Sequence, residues 1–251
     1  MRWHWALAVA LLIAAPAPAA ATGPALAVVI DDLGTDPRAG ERVAALDAPV
    51  ACAVLPHTSY ARRHAERCHA SGKEVLLHLP MQAQRPGPLG PGAVTLDMMP
   101  EQFREAVTDN LDAIPHVSAV NNHMGSLLTR HPGHMRWLMA VLDERGDLLF
   151  LDSRTARRTV GAQAAREAGV PALERDVFLD NRRDPDAIEA QLRQLFRVAE
   201  RRGTAVGIGH PHDETLTVLE QRLRALAAER GVELVGLREI HRRRNREPGR
   251  P

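Results

Sequence analysis

The chain has 251 residues, a formal net charge of +1 at pH 7, and only 3% aromatic side chains. So balanced a charge gives no basis for a nucleic-acid binder. The scarcity of aromatic rings argues against a long glycan groove lined with stacking platforms.

The first residues, Met1-Arg2-Trp3-His4-Trp5, carry an early cation and lead into an apolar run from Ala6 to Ala15 that is short for a bilayer span. The small-residue stretch Pro16-Ala17-Pro18-Ala19-Ala20-Ala21 follows. This order reads as a secretory signal peptide over residues 1–21, cleaved near Ala20 to Thr22, with an uncleaved anchor as the alternative. The expected location is exported, periplasmic or secreted, with no stable membrane span after removal of the leader. Roughly 230 residues remain, enough for one barrel-like α/β domain over residues 22–240.

That domain opens on Ala27-Val28-Val29-Ile30-Asp31-Asp32-Leu33-Gly34, an apolar run ending in paired carboxylates. It reads as a buried strand whose carboxyl end is a site, since parallel α/β barrels place chemistry there. Taken alone, the pair reads equally well as a cap for the next helix. Downstream, short apolar runs alternate with amphipathic stretches, the pattern of repeated βα units. Strands are predicted near 26–30, 50–54, 74–78, 117–120, 148–152, 173–179, 204–208 and 233–236. Helices are predicted near 37–46, 59–71, 100–113, 133–145, 156–168, 185–202 and 214–230. The expected fold is a distorted (β/α) barrel of about seven βα units with mostly parallel strands.

Three segments stand outside this rhythm. Cys52, on a core strand, and Cys68, late in the next helix, read either as a pair joined in an oxidising compartment or as two separately buried thiols. Between Met81 and Met98, six Pro and Gly residues preclude a helix, so this connection is either a substrate-facing loop over the barrel mouth or a disordered insertion. Residues 241–251, rich in arginine, are expected to form a basic disordered tail.

Metal-competent and polar residues recur at strand ends. The first strand ends in Asp31-Asp32, the third at His78, the fourth in Asn121-Asn122-His123, the fifth in Asp152-Ser153-Arg154, and the seventh in His210-Pro211-His212. A lone histidine after an apolar run is more often a packed residue, but agreement among five strand ends is hard to reach by chance. One carboxylate and two imidazoles make a sensible open ligand set for Zn²⁺. Such an ion suits hydrolysis of an ester or amide, with a second carboxylate as general base and a histidine as acid.

Val29-Ile30-Asp31-Asp32 resembles the first motif of NodB-type polysaccharide deacetylases, and Ser71-Gly72-Lys73-Glu74-Val75 followed by His78 resembles their second. The closer likeness is to the divergent polysaccharide deacetylase branch, the YibQ-like exported proteins. Its hallmarks are matched in order by Ile30-Asp31-Asp32-Leu33-Gly34, His78-Leu79-Pro80-Met81, Asn122-His123-Met124-Gly125-Ser126, Leu151-Asp152-Ser153-Arg154-Thr155 and Gly209-His210-Pro211-His212. The resemblance implies a divalent metal, zinc foremost, with Asp32 and His78 as ligands, Asp31 as general base and His210 as general acid. It departs from the common pattern at Gln82, where a second histidine is usual, and a neutral amide is a poor zinc ligand. His123 is therefore expected as the third ligand. Asn122, Asp152, Arg154 and His212 are expected to contact substrate or orient the ligands.

The resemblance implies a metal-dependent hydrolase that removes acyl groups, N-acetyl foremost, from an envelope or extracellular polysaccharide or amino sugar. The alternative is a catalytically impaired deacetylase scaffold acting as a carbohydrate- or envelope-binding module. The oligomeric state is not legible in the sequence.

Overall fold

The computed structural model describes residues 23–246. The predicted signal peptide and the last five residues lie outside the described range. Among the described residues, no helix is long and apolar enough to cross a membrane.

The elements run β1 (Ala25–Leu33), α1 (Pro37–Ala45), β2 (Ala51–Val54), α2 (Ala61–Ala70), β3 (Val75–Met81), α3 (Pro100–Ala113), β4 (Val117–Met124), α4 (Pro132–Arg145) and β5 (Leu149–Asp152). They continue as α5 (Gly161–Glu167), β6 (Ala172–Glu174), β7 (Val177–Phe178), α6 (Pro185–Arg202), β8 (Thr204–Gly209), α7 (Asp213–Arg230), β9 (Glu233–Leu234) and α8 (Leu237–Arg246). Every strand pairing is parallel, in the order β6-β5-β4-β3-β2-β1-β8-β7, with β9 added to β1. The outermost strands β6 and β7 are consecutive in the chain. Between them, Arg175 N–H donates to Asp152 O and Asp176 N–H donates to Val206 O, so one kinked segment passes from β5 to β8. The single strand predicted near 173–179 is thus split, and the segment that carries the split spans the two edges of the curled sheet of this distorted (β/α) barrel.

Alternation along the strands divides the core in two. Leu26, Val28 and Ile30 pack outward against the helices. Ala25, Ala27 and Val29 face the barrel interior with Ala51, Ala53, Leu76, Ala119, Leu149, Leu151, Val206 and Ile208. Small residues let the short strands close tightly, and the polar residues one step further along the same face gather at the carboxyl end.

The arginine-rich end departs from expectation over residues 241–246, which belong to helix α8. Leu237 and Ile240, three residues apart on one face, are fully buried in the interior cluster and plug the barrel's amino end. Glu74 accepts from Leu237 N–H at 2.7 Å, supplying the start of α8 with an acceptor. Arg243 donates to Gly23 O at 3.0 Å, and Arg244 pairs with Asp176 at 2.6 Å. The basic side chains are thereby tied to the barrel.

Cys52 and Cys68 are joined in a disulfide with Cα atoms 6.5 Å apart, which overturns the reading as two separate thiols. The pleat of β2 turns Cys52 outward onto the buried face of α2, where Cys68 lies beside Ala61 and Ala65.

The segment between β3 and α3 is pinned rather than disordered. Val94 N–H donates to Pro80 O and Gln82 N–H donates to Val94 O, both at 2.9 Å. Buried Asn110 donates to Gly92 O at 2.7 Å while its carbonyl faces His57 Nε2 at 3.0 Å. A Cβ at Gly92, whose φ is +74°, would fall 2.0 Å from Asn110 Oδ1, so only glycine fits there.

Candidate metal centre

Two neighbouring strand residues normally point to opposite faces. Asp31 and Asp32 escape this rule because the β1–β2 register shifts between Ile30 and Leu33, and Asp32 takes a left-handed φ of 57°. Both carboxylates therefore reach the mouth of the barrel. Neither caps the next helix: that role falls to Asp36, which accepts from Arg38 N–H at 2.8 Å. Gly34 follows at φ +119°, where a Cβ would lie 2.2 Å from Thr58 Oγ1.

His78 on β3 is registered opposite Asn121 on β4, and Pro80 opposite His123. Adjacent inward positions of the two strands thus bring the imidazoles together. Asp32 Oδ1 lies 2.9 Å from His123 Nδ1 and 3.1 Å from His78 Nε2, and the two nitrogens are 3.2 Å apart. Asp32 Oδ1 is buried and accepts no hydrogen bond of proper geometry, although two ring nitrogens face it. Three ligand-type atoms within 3.2 Å of one another, with the carboxylate oxygen left without a directed hydrogen bond, suit a shared cation. Zinc bonds near ~2.1 Å give tetrahedral edges of about 3.4 Å, close to this triangle. The donor set of one carboxylate and two imidazoles fits zinc and leaves an open position.

The tautomer of His78 is set by its neighbour. Nδ1–H donates to Asn121 Oδ1 at 2.9 Å, which leaves Nε2 facing the centre. The amide of Asn121 donates in turn to Asp31 Oδ1 at 2.8 Å and to Ser153 Oγ at 3.2 Å. One carboxamide therefore holds the candidate ligand His78 and the candidate base Asp31 together. Burial pushes the Asp31 carboxyl up, against the pull of His78 and His210. Burial also opposes the charged form of Asp32, but His123 and His78 hold its carboxyl well below the usual range. For His78, burial is outweighed by Asp31 and Asp32, and the imidazole is pushed up to about 9.

On the opposite wall His210 Nε2 stands 3.8 Å from Asp32 Oδ2. Its Nδ1 is held by Asp180 Oδ1 at 3.0 Å, while Asp180 Oδ2 accepts from His210 N–H at 2.6 Å and Thr215 Oγ1–H at 2.8 Å. Burial opposes the imidazolium, yet Asp180 raises the His210 pKa above its ordinary value. His212 stacks 5.7 Å from His210 at the start of α7, and burial lowers its pKa.

The structure relocates three expected site residues. Outward alternation carries Asn122 away from the mouth: it donates to Met124 O at 2.7 Å and accepts from Ser153 N–H at 2.9 Å, bracing two loops. Asp152 also points outward, accepting from Arg154 N–H, Thr159 Oγ1–H and Ala162 N–H at the start of α5. These bonds order residues 153–160, which explains why the helix predicted from 156 begins only at Gly161. The Arg154 side chain is exposed and reaches Glu174 at 3.9 Å, contacting none of the ligands. The orienting acceptors are instead Asn121 and Asp180. Asp180 escaped the sequence reading, although it too follows an apolar strand end, in Phe178-Leu179-Asp180. Gln82, at the usual ligand position, is taken up by the loop: its Oε1 accepts from Leu96 N–H at 2.7 Å. Arg175 also went unread; it donates to Ser153 O at 2.7 Å and stacks 5.1 Å over Phe178.

The chain and its fold have relatives. The chain is 37% identical over 196 residues to the protein YibQ of Escherichia coli (strain K12), a match covering 78% of this chain and 61% of that relative. It is 33% identical over 226 residues to a protein of Haemophilus influenzae, covering 90% of this chain and 80% of that one. The fold superposes on an uncharacterized protein from Agrobacterium tumefaciens C58 with a TM-score of 0.83 at 24% identity, covering 88% of this chain and 91% of that chain. It also superposes on the polysaccharide deacetylase Bc1974 from Bacillus cereus, with a TM-score of 0.51 at 14% identity over 85% of this chain and 91% of that chain. A CE4 family pseudoenzyme from Bacillus anthracis gives a TM-score of 0.52 at 14% identity over 87% of this chain and 66% of that chain. The family model for divergent polysaccharide deacetylases matches residues 28–241, from the first strand into the last helix, and the chain belongs to that family.

Proposed function

We propose that the protein is an exported, metal-dependent hydrolase that removes acyl groups, N-acetyl foremost, from an envelope or extracellular polysaccharide. The observation that carries this reading is the convergence of Asp32 Oδ1, His78 Nε2 and His123 Nδ1 between Asp31 and His210. A divalent ion held by Asp32, His78 and His123 would supply Lewis-acid polarisation of the acyl carbonyl and a lowered pKa for a nearby water. Asp31, buried and fixed by Asn121, takes the proton of the attacking water as it adds to the acyl carbon. His210, whose protonated form Asp180 favours, gives its Nε2 proton to the departing nitrogen as the C–N bond breaks. A carboxylic acid and a free amine result, and the proton taken by Asp31 passes on to His210, which restores both residues for the next turnover. The Cys52–Cys68 disulfide supports an oxidising, extracytoplasmic location.

The second reading, an inactive carbohydrate-binding scaffold, draws on Gln82 at the usual ligand position. Acetate release from N-acetylated chitooligosaccharides by the mature protein, with and without added Zn²⁺, separates the two. The hydrolase reading expects zinc-dependent release that Asp31→Asn abolishes. Binding of the oligosaccharide without release favours the scaffold.

A further inference from the structure

The loops that follow β3, β4 and β5 enclose a cleft of about 330 Å³ whose lining includes Gln84, Ser126, Arg130, Thr155, Arg157 and Arg158. Its walls are fixed. Gln84 N–H donates to Ser126 Oγ at 2.9 Å, and Thr155 Oγ1–H donates to Met124 O at 2.6 Å. Ser126 stands three residues beyond His123 in sequence, so one wall continues the strand that carries the ligand.

The charge of this cleft is uncompensated. Arginines on the helices are largely paired, as Arg42 with Glu220, Arg104 with Glu144 and Arg145 with Asp112. Among the described residues, Arg130, Arg157 and Arg158 have no carboxylate partner. The loops that carry them, residues 125–131 and 153–160, contain no Asp or Glu at all. Three guanidinium groups without counter-ions, beside hydroxyl and amide groups in one concavity, make a receptor for an anion. A chain net charge of +1 rules out general basicity as the reason.

We propose that this cleft binds the carboxylate or phosphate of an acidic sugar unit next to the one whose acyl group is removed, making the substrate an acidic rather than a neutral glycan. The assignment rests on the glycan reading above. A polymer lying with its acylated unit at Asp32, His78 and His123 would pass over Met124 and place a neighbouring acidic unit among the three arginines.

Binding of two tetrasaccharides by calorimetry at low salt tests this: hyaluronan tetrasaccharide, which carries glucuronate beside N-acetylglucosamine, and neutral chitotetraose. The acidic sugar is expected to bind at least about tenfold more tightly, as charge-assisted hydrogen bonds require, with the preference shrinking at high salt. In the R157A/R158A double variant the preference should collapse to within about twofold, and R157K/R158K should restore part of it. Far-UV circular dichroism establishes that the variants are folded. Equal binding of both sugars by the unmodified protein, or a preference that survives R157A/R158A, overturns the acidic subsite while leaving the glycan reading in place. Binding of neither sugar overturns both. Tighter binding of a single-stranded DNA oligonucleotide than of hyaluronan also overturns it, since the cleft would then be a nucleic-acid contact.

Discussion

Asn121 Nδ2 stands 2.8 Å from Asp31 Oδ1, and the other end of the same carboxamide holds His78 Nδ1 at 2.9 Å. The candidate ligand His78 and the proposed base Asp31, on different strands, thus share one fully buried partner. Asn121→Ala is expected to weaken zinc binding by about 10- to 100-fold, the usual cost of losing a partner of a ligating histidine. Competition against a chelator measures it, and unchanged affinity would show that the bridge has no such role.

With His78 as a ligand, as proposed, its protonation would couple metal uptake to pH. In metal-stripped protein its pKa is pushed up to about 9 by Asp31 and Asp32, against burial, from an ordinary value of 6.5. The folded state therefore holds a proton that the unfolded state releases. The associated stability is fully present below pH 6.5 and is lost as pH rises through about 9. Stripped protein should melt at progressively lower temperature across that window. Zinc binding at neutral pH should release protons, and zinc affinity should rise with pH over the same range. Calorimetry in buffers of different ionisation enthalpy counts those protons, and the absence of any release contradicts the assignment.

His210 owes its raised pKa to Asp180, which outweighs the opposing effect of burial. As a general acid it must be protonated, so activity falls as pH rises through its pKa. Asp180→Asn removes the carboxylate charge and should move the alkaline limb of kcat/KM to lower pH while reducing kcat more than it raises KM. A variant whose activity drops with an unshifted limb would place Asp180 in packing alone.

The Cys52–Cys68 bridge closes a loop with a sequence separation of 16. Replacing both with alanine should cost about 3 kcal/mol of unfolding free energy by loop-closure entropy. Urea unfolding of the double variant, beside native protein treated with reductant, gives the value. Equal midpoints for oxidised and reduced native protein would contradict a structural role.

Much of the fold was legible because β1, β3, β4 and β8 are short runs bounded by polar residues, and such runs read as buried parallel strands without long-range information. Asp31, Asp32, His78, His123 and His210 stood out for the same reason, each falling where an apolar run stops. Facing direction was harder to read. Asn122 and Asp152 sit at strand ends like Asn121 and His123, but the pleat turns them outward, and a shift of one residue in register exchanges the inward and outward faces. Asp180 lay hidden because the strand before it is kinked into β6 and β7. The arginine-rich end read as disordered because its charge obscured Leu237 and Ile240, two apolar residues whose burial against the barrel floor anchors the helix. The cysteine pairing depended on a contact between β2 and α2 that spacing alone does not fix.

The central claim is that His123 stands in for the ligand that Gln82 cannot supply. Zinc titration of the stripped mature protein, of His123→Ala and of Gln82→Ala tests it most directly. One zinc per chain is expected for the unmodified protein and for Gln82→Ala, with affinity falling about 100-fold or more in His123→Ala as an inner ligand is lost. Full affinity in His123→Ala together with loss of zinc in Gln82→Ala would contradict the claim.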